Sequence, residues 1–464
     1  MRIKISNNIE ISEPSNAVYQ WCLENLVITN PMWEQLTRMG KDDTIRYKHI
    51  PQKLNIYVKK GEKIILPFGC LYGVWNLIKN SQMEWNFNST NDTSNKHLPC
   101  PIELYDYQQE AVANMVAAKG GVLVSPAGSG KTITMIEIIH SIGRKFLWIT
   151  HTGDLLRQAK KDFLSLYPNL NIGLITDGKV DIGKDGAIAT VQTLDKIDKS
   201  LYEDEFDVVV VDECAHCAGS PTLSKMFSRV VGNIPARYKY GCTATPNRGD
   251  TMIKTMYTIL GMSREGWFEP TFEIPRDRVK SLDATHMKFD IDLPMDYSIL
   301  NADGTMDYNS LIDSLSTNDD RNNIIVDNVM KCLEEGRKQV ILCSRVEHCK
   351  ILYNMLKSNQ TRVELVTGSV TAKKREEILN NPNNWDIIVA TYSLLKEGVN
   401  VKELDTLHMT TPQKDKALVI QCFGRIERCM EGKKQPIAYD YVDTKIPYCL
   451  GAFKKRQSII RGRK

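Results

Sequence analysis

The sequence predicts an α/β protein: two parallel-sheet lobes preceded by a small N-terminal α+β module. Three observations lead there. The chain has 464 residues, enough for two to four domains at about 100 to 200 residues each. Its apolar content of 42% can give each of them a core. Most telling are two sets of short, uniformly apolar runs, each closed by a polar or glycine-containing loop and separated by helix-length segments. Such runs have the pattern of strands buried on both faces of a sheet.

Taken in order, residues 1–98 read as an accessory module whose clearest element is a hairpin. Two β-favouring runs, Lys53 to Val58 and Lys63 to Leu66, flank a turn centred on Gly61. The polar, aperiodic stretch from Asn86 to Pro101 reads as a linker, so the module is expected to be removable. The first lobe, 99–262, holds the runs Gly121 to Ser125, Lys145 to Thr150, Gly186 to Thr190, Asp207 to Glu213 and Lys239 to Thr245. A connecting segment, 263–318, is less periodic and contains a turn at Asn301 to Gly304 that would close another hairpin. The second lobe, 319–464, holds Gln339 to Ser344, Arg362 to Gly368, Trp385 to Thr391, Thr406 to Thr410 and Pro436 to Asp443, then a basic tail.

Charge narrows the partners. The formal net charge of +4 is unevenly spread: residues 1–98 carry 12 basic and 9 acidic side chains, and Gly451 to Lys464 carries six basic and none acidic. The long middle, with 42 basic and 47 acidic residues, is slightly negative. A polyanion would therefore be held by local patches, because no global field exists to attract it. Twelve dispersed cysteines do not form a disulfide framework, and reduced thiols in a cytosol are expected. No apolar run follows the first basic residues, and the longest runs, such as Val208 to Val211, are far too short for a bilayer. Neither secretion nor a membrane partner is expected.

The chemistry begins at Ser125 to Thr132, SPAGSGKT, between an apolar strand and a good helix. Ala127, Gly128, Ser129 and Gly130 would turn backbone N–H groups toward phosphates at a helix N-terminus, and Lys131 would neutralise the β and γ oxygens. Thr132 would ligate Mg²⁺. The generic pattern begins with Gly where this chain has Ser125. Downstream, a run of four valines ends at Asp212, which places a carboxylate at the C-terminal edge of a strand, where open α/β sheets bind ligands. Asp212 would share the Mg²⁺ with Thr132, and Glu213 would orient or deprotonate an attacking water.

Nine segments together resemble, in order, the motifs of superfamily 2 helicases: YDYQ (from Tyr105), SPAGSGKT, THTGDLLRQ (from Thr150), TVQTL (from Thr190), DECAH (from Asp212), TATP (from Thr243), CSRVEH (from Cys343), ATYSLLKEGVN (from Ala390) and QCFGRIER (from Gln421). The resemblance covers about residues 102–445. It implies two RecA-like domains, ATP and Mg²⁺ as cofactors, and a nucleic-acid partner. Residue by residue, it makes Gln108 an adenine reader and places Gly398 and Asn400 near the nucleotide. It gives His216, Thr243 and Thr245 a coupling role, and Thr150, Thr190, Arg345 and Thr391 nucleic-acid contacts. Gln421, Arg425 and Arg428 would act on the triphosphate from the second lobe. The family often carries Asp on the ribose where this chain has Asn400. TATPNRGD, CSRVEH and DDRNNIIVDNV (Asp319 to Val329) look like the branch of phage recombination and repair helicases and XPB-type repair helicases. DNA, forked, branched or partly single-stranded and bound without sequence preference, is the partner this branch implies. An RNA unwinder, or an ATP-driven clamp without strand separation, is the alternative.

Three features stay outside that pattern. Cys214 to Cys217, CAHC, has half the spacing of a zinc site, but the chain has no second CxxC pair, and zinc is not expected. The stretch Lys41 to Lys63 has seven basic and three acidic residues with Tyr47 and Tyr57, which suits either a DNA-contacting hairpin or a solvated face. The basic tail would be disordered or would follow a phosphate backbone.

Overall fold

A computed structural model of the chain describes residues 1–42, 47–90, 92–93, 98–218, 221–245, 252–294, 299–301, 304–393 and 401–462, with the side chains at 216, 221–225 and 372 outside the description. Contacts group it into two compact units: Met1–Pro126 with Gly130–Pro275, and Ala127–Ser129 with Arg276–Lys464.

The first unit starts with a five-stranded sheet built from β1 (Arg2–Ile5), β2 (Asn8–Ser12), β5 (Val58–Lys60), β6 (Lys63–Pro67) and β7 (Gln82–Trp85), in the order β5-β6-β2-β1-β7. The short β3 (Val27–Thr29) and β4 (Lys53–Asn55) pair separately. Alternation along β1 and β2 turns Ile3, Ile5, Ile9 and Ile11 inward. A hairpin around Gly61 is present as β5–β6, but its first arm is Val58–Lys60 and not Lys53 to Val58, whose first three residues pair with β3 instead; Gly61 takes the left-handed conformation the turn requires.

The same unit contains the first lobe's sheet: β8 (Gly120–Val124), β9 (Phe146–Thr150), β10 (Ile172–Thr176), β11 (Lys179–Val180), β12 (Gly186–Thr190), β13 (Val208–Asp212), β14 (Tyr238–Thr243) and β15 (Phe272–Glu273). Its order is β11-β10-β12-β9-β13-β14-β8-β15, and every pairing is parallel except the β10–β11 hairpin. Every residue of β9, β12 and β13 is buried, as a sheet covered on both faces demands.

The second unit's sheet is wholly parallel, β16 (Thr285–Ile291), β17 (Gln339–Cys343), β18 (Val363–Val366), β19 (Ile387–Thr391), β20 (Thr406–Met409) and β21 (Ile437–Asp443), in the order β16-β21-β20-β17-β19-β18. Two RecA-like α/β sheets and a small α+β module are thus the architecture. The connecting segment is divided: β15 completes the first sheet and β16 the second. Leu300 and Met306 form an antiparallel bridge around the Asn301 turn, of which residues 302–303 lie outside the described residues.

Two expectations need correction. The stretch read as a linker is strapped to the first lobe. The Asn88 amide donates to the Glu203 and Phe206 carbonyls (2.9 and 3.1 Å), and Thr90 donates from both N and Oγ1 to Asp207 (2.8 and 2.6 Å). Module and lobe also share one core, in which Ile9, Cys70 and Val74 belong to the same buried cluster as Val209, Tyr257 and Leu260. Gly69 marks the closest approach: a Cβ there would lie 2.5 Å from the carbonyl oxygens of Tyr257 and Thr258. Polar, aperiodic sequence does not distinguish a free linker from one bonded to a neighbouring surface. The basic tail, in turn, is largely helix, Pro447–Arg461. It hides Ala452, Phe453, Ile459 and Ile460 and exposes Lys454 and Lys455. Arg456, 1% exposed, forks onto Asp440 at 2.7 and 2.6 Å and donates to the Gln413 carbonyl at 2.8 Å. Desolvating that pair is offset by its bidentate geometry.

Where the module meets the lobe lies one buried amine. Lys239, on β14, donates to the Val231 carbonyl (3.0 Å) with its ammonium 5.6 Å from the centre of the Phe68 ring. Burial lowers its pKa from 10.5 to about 7.

Two outcomes follow from this packing. A chain beginning at residue 99 loses about a third of the buried residues of a shared core, so it is expected to be insoluble or to melt at least about 10 °C lower, because core losses of a few kcal/mol shift melting by this much; soluble yield and thermal scans check it. Lys239→Met is expected to stabilise the protein by about 1 kcal/mol or more at pH 6, where the lysine is charged in both folded and unfolded states. As pH rises from about 7 toward 10.5 the native chain gives up that proton before the unfolded chain does. Wild-type stability therefore gains with pH over this window, and the Met variant lacks that gain, as denaturant titrations at several pH values would reveal.

Candidate active site

The phosphate loop leaves β8 at Ser125, whose N–H donates to the Thr243 carbonyl (2.9 Å) at the end of the adjacent β14. Gly128 and Gly130 both have positive φ, +85° and +77°, and the helix Lys131–Ile142 begins immediately afterwards. The sequence folds this way because only glycine takes those two conformations without strain. The result is a helix N-terminus at the C-terminal edge of a parallel sheet.

Asp212 ends β13, and β14 separates β13 from β8, so loop and carboxylate share one edge. Lys131 Nζ crosses that interval to bond Glu213 Oε1 and lies 3.8 Å from Asp212 Oδ1. Burial, the largest influence on Lys131, opposes its charge, yet Glu213 and Asp212 outweigh it and hold the ammonium above its ordinary pKa. For Asp212 burial prevails, raising the carboxyl despite the lysine. Asp212 Oδ1 also accepts from the Glu213 N–H (2.9 Å) and from the Cys242 thiol (3.5 Å). Burial pushes that thiol well above its usual range, which keeps it a neutral donor. Glu213 has φ +50°, a conformation that costs a non-glycine residue about 1 kcal/mol or more and concentrates at functional sites.

Gln108 has a second task. In the helix Asp106–Ala118 its Oε1 accepts from the Tyr105 N–H (3.0 Å), capping the helix, while a Cβ on Gly130 would lie 2.4 Å from its Nε2. The side chain assigned to adenine thus also braces the phosphate loop. Tyr105, which the sequence reading did not single out, stacks on Tyr107 with ring centres 5.4 Å apart and leaves half its surface open. Thr243 Oγ1 accepts from the Thr245 N–H (3.2 Å) and is fully buried.

A cavity of about 470 Å³ opens in the first unit, lined by Thr152, Arg157, Gly178, Thr190, Gln192 and Lys196 among others. Thr190 therefore lines it, bonding Thr193 at 2.8 Å. Thr150 lies beneath, donating to the Thr152 carbonyl (3.1 Å) as a strut. The β10–β11 hairpin contributes Gly178, and neither hairpin nor rim was expected. Its signal was the Asp177–Gly178 dipeptide, which adopts φ +52° and +75°.

In the second unit, Arg345 precedes the helix Val346–Ser358 and bonds Asp313 (3.0 Å) and Asn309 (2.8 Å). Thr391 ends β19 and pairs with Ser393 (3.1 Å). Gln421 and Arg425 lie on the helix Lys416–Ile426, and Arg428 follows it. The buried Gln421 Oε1 has no partner among the described residues. Gly398, Asn400 and the segment from Pro246 to Asp250 lie outside the described residues, as does the side chain of His216. Among the described residues no group of three or more His, Cys, Asp or Glu could hold a metal ion, and burial pushes the Cys214 and Cys217 thiols upward. No described helix is long and apolar enough to cross a membrane.

Two parallel-sheet domains with a phosphate loop, a strand-end carboxylate pair and a glutamine-arginine helix define the class, and sequence comparison agrees. Residues 101–248 match the family described as type III restriction enzyme, res subunit, and residues 320–430 match the helicase conserved C-terminal domain. The chain belongs to the superfamily 2 helicases and resembles the UvsW and XPB branch. It is 25% identical to the ATP-dependent DNA helicase uvsW of Enterobacteria phage T4, covering 74% of this chain and 69% of that one. It is 25% identical to the putative ATP-dependent RNA helicase L396 of Acanthamoeba polyphaga mimivirus, over 72% of this chain and 62% of the relative's length. A shorter stretch of 153 residues is 31% identical to the DNA 3'-5' translocase XPB2 of Sulfurisphaera tokodaii, 32% of each chain. Among solved structures, Saccharomyces cerevisiae Dbp5 bound to RNA and ADP BeF3 shares the fold with a TM-score of 0.56 at 15% identity, over 85% of this chain and 92% of that one.

The brace on the loop predicts that Gly130→Ala lowers affinity for ATP about tenfold or more, since a Cβ meets both a left-handed φ and the Gln108 amide. Fluorescent-nucleotide titration measures it, and wild-type affinity would show that the loop relaxes freely.

Proposed function

We propose that this chain is an ATP-dependent DNA helicase or translocase that remodels forks or junctions during replication, recombination or repair, in a bacterial or phage-infected cytosol. The observation that carries the reading is the buried Lys131–Asp212–Glu213 cluster at the sheet edge, on the same unit as a polar groove with two cationic side chains, Arg157 and Lys196. Two relatives, the DNA helicase uvsW and the DNA translocase XPB2, support DNA.

The residues suit ATP hydrolysis. Backbone N–H groups of Gly128 to Lys131 would bind phosphate oxygens, and Lys131 would leave Glu213 for the β and γ phosphates. That exchange frees Glu213 to accept the proton of the attacking water. Thr132 and Asp212 would hold Mg²⁺ through the hydroxyl and carboxylate oxygens a hard cation prefers, and the ion would neutralise phosphate charge. Gln421, Arg425 and Arg428 supply polar and cationic groups for the terminal phosphate. Arg157 and Lys196 would take a phosphodiester backbone, giving binding without base readout and with steep salt dependence.

Lys131→Ala and Glu213→Gln are each expected to lower nucleic-acid-stimulated ATP turnover by about a hundredfold or more, because each removes a group acting on the transferred phosphoryl or its nucleophile. Turnover measured with single-stranded DNA, duplex, forks, four-way junctions and RNA separates the readings: stimulation by branched DNA supports the proposal. Preferential stimulation by RNA would assign the chain to the RNA unwinders instead, and wild-type turnover in either variant would remove the site assignment.

A further inference from the structure

A carboxylate lies where electrostatics disfavours it. Glu427 is the C-cap of the helix Lys416–Ile426, between Arg425 and Arg428, and it is 1% exposed. A helix C-terminus carries partial negative charge, so a buried acid there needs specific compensation. Compensation comes in part from the stretch 276–284 of the same unit. Arg276 Nη2 lies 3.2 Å from Glu427 Oε2 and 3.0 Å from Ser281 Oγ. The Ala284 N–H donates to Glu427 Oε1 (3.3 Å), and the Leu282 N–H donates to the Glu427 carbonyl (2.8 Å). The next residue, Arg428, is tied from the other side, where Lys433 Nζ donates to its carbonyl and to that of Lys402, both at 2.9 Å.

We propose that Glu427 is a positioning residue for Arg425 and Arg428, clamping their backbone to the segment 276–284 so that both guanidinium groups start from a fixed place. The inference rests on the ATPase reading above. Its physical basis is that arginines acting on transition-state charge are sensitive to placement, about 1 Å of error costing roughly a hundredfold. The clamp uses one side chain and one carbonyl of the same residue, so it fixes rotation as well as position. Arg276 lies in the segment the sequence reading left without a role, and Glu427 stands inside a motif whose arginines and glutamine had taken all the functional assignments.

The test uses the full chain and single-stranded-DNA-stimulated ATPase, with Glu427→Gln, Arg276→Gln and the double variant, and Arg428→Ala and Lys131→Ala for reference. Glu427→Gln is expected to lower kcat about tenfold or more with KM for ATP changed less than about threefold, the split expected when a transition-state contact is displaced. Arg276→Gln should also lower kcat, although its Nη1 donates to the Ala127 carbonyl of the phosphate loop as well (2.9 Å), and the double variant should lose less than the two single losses combined, since Glu427 and Arg276 share one contact. A kcat within twofold of wild type, a loss carried by KM, or additive losses would each overturn the inference while Lys131→Ala still marked the ATP site. Hydrogen exchange of peptides spanning 280–286 and 423–430 supplies a readout independent of turnover. If the wild type hydrolyses no ATP, the functional reading fails. Faster exchange of both peptides in Glu427→Gln then still supports the clamp, whereas unchanged exchange overturns it.

Discussion

One ammonium group makes the candidate site tenable. Asp212 and Glu213 are adjacent, share a buried edge and would repel each other if both were charged; Lys131 lies against both and compensates them. The backbone brings this triad together, through the turn after β8, the end of β13 and β14 lying between them, and the Cys242 thiol bonds Asp212 in place. The cluster is stable as found, yet a polyphosphate offers the lysine a better partner, with charge-assisted bonds that release a carboxylate. A resting ion pair that a substrate can exchange is consistent with the strained φ of Glu213, since both belong to a site held ready rather than relaxed.

Much of this was legible because the determinants are local. Runs such as Val208 to Val211 are buried on both faces, and no alternation was needed to see it; all ten such runs in the two lobes appear as strands. Glycines at 128 and 130 gave the loop away through their conformational demand. The lobe strands that were missed, β10, β11, β15 and β16, are less uniformly apolar or very short, and β16 in particular buries only its last residue and half-buries His286 and Phe289. What makes β16 a strand is its partner β21, seven residues in register, which no local pattern records.

The remaining surprises share one cause: polar sequence does not reveal its partners. In the stretch after Trp85, Asn88 and Thr90 bond to Glu203, Phe206 and Asp207, while Asn86 and Ser89 beside them stay exposed. The tail is basic, but Arg456 spends its charge inside the protein. Gln108 was expected at the nucleotide, and its closeness to the phosphate loop was not legible, since that depends on the proximity of Gly130. Glu427 and Arg276 are 151 residues apart in sequence, and nothing in either neighbourhood announces the other.

The fusion of the N-terminal sheet to the first lobe bears on how force would travel. A gripping element on a flexible tether must take up slack before it pulls, and much of each stroke is lost to the tether's extension. Here the β5–β6 hairpin, with Lys59, Lys60 and Lys63 at its exposed end, is continuous through a packed interior with the strand that precedes the phosphate loop. A strand held at that hairpin would move as if bolted to the nucleotide lobe, a stiff lever arm in place of a rope.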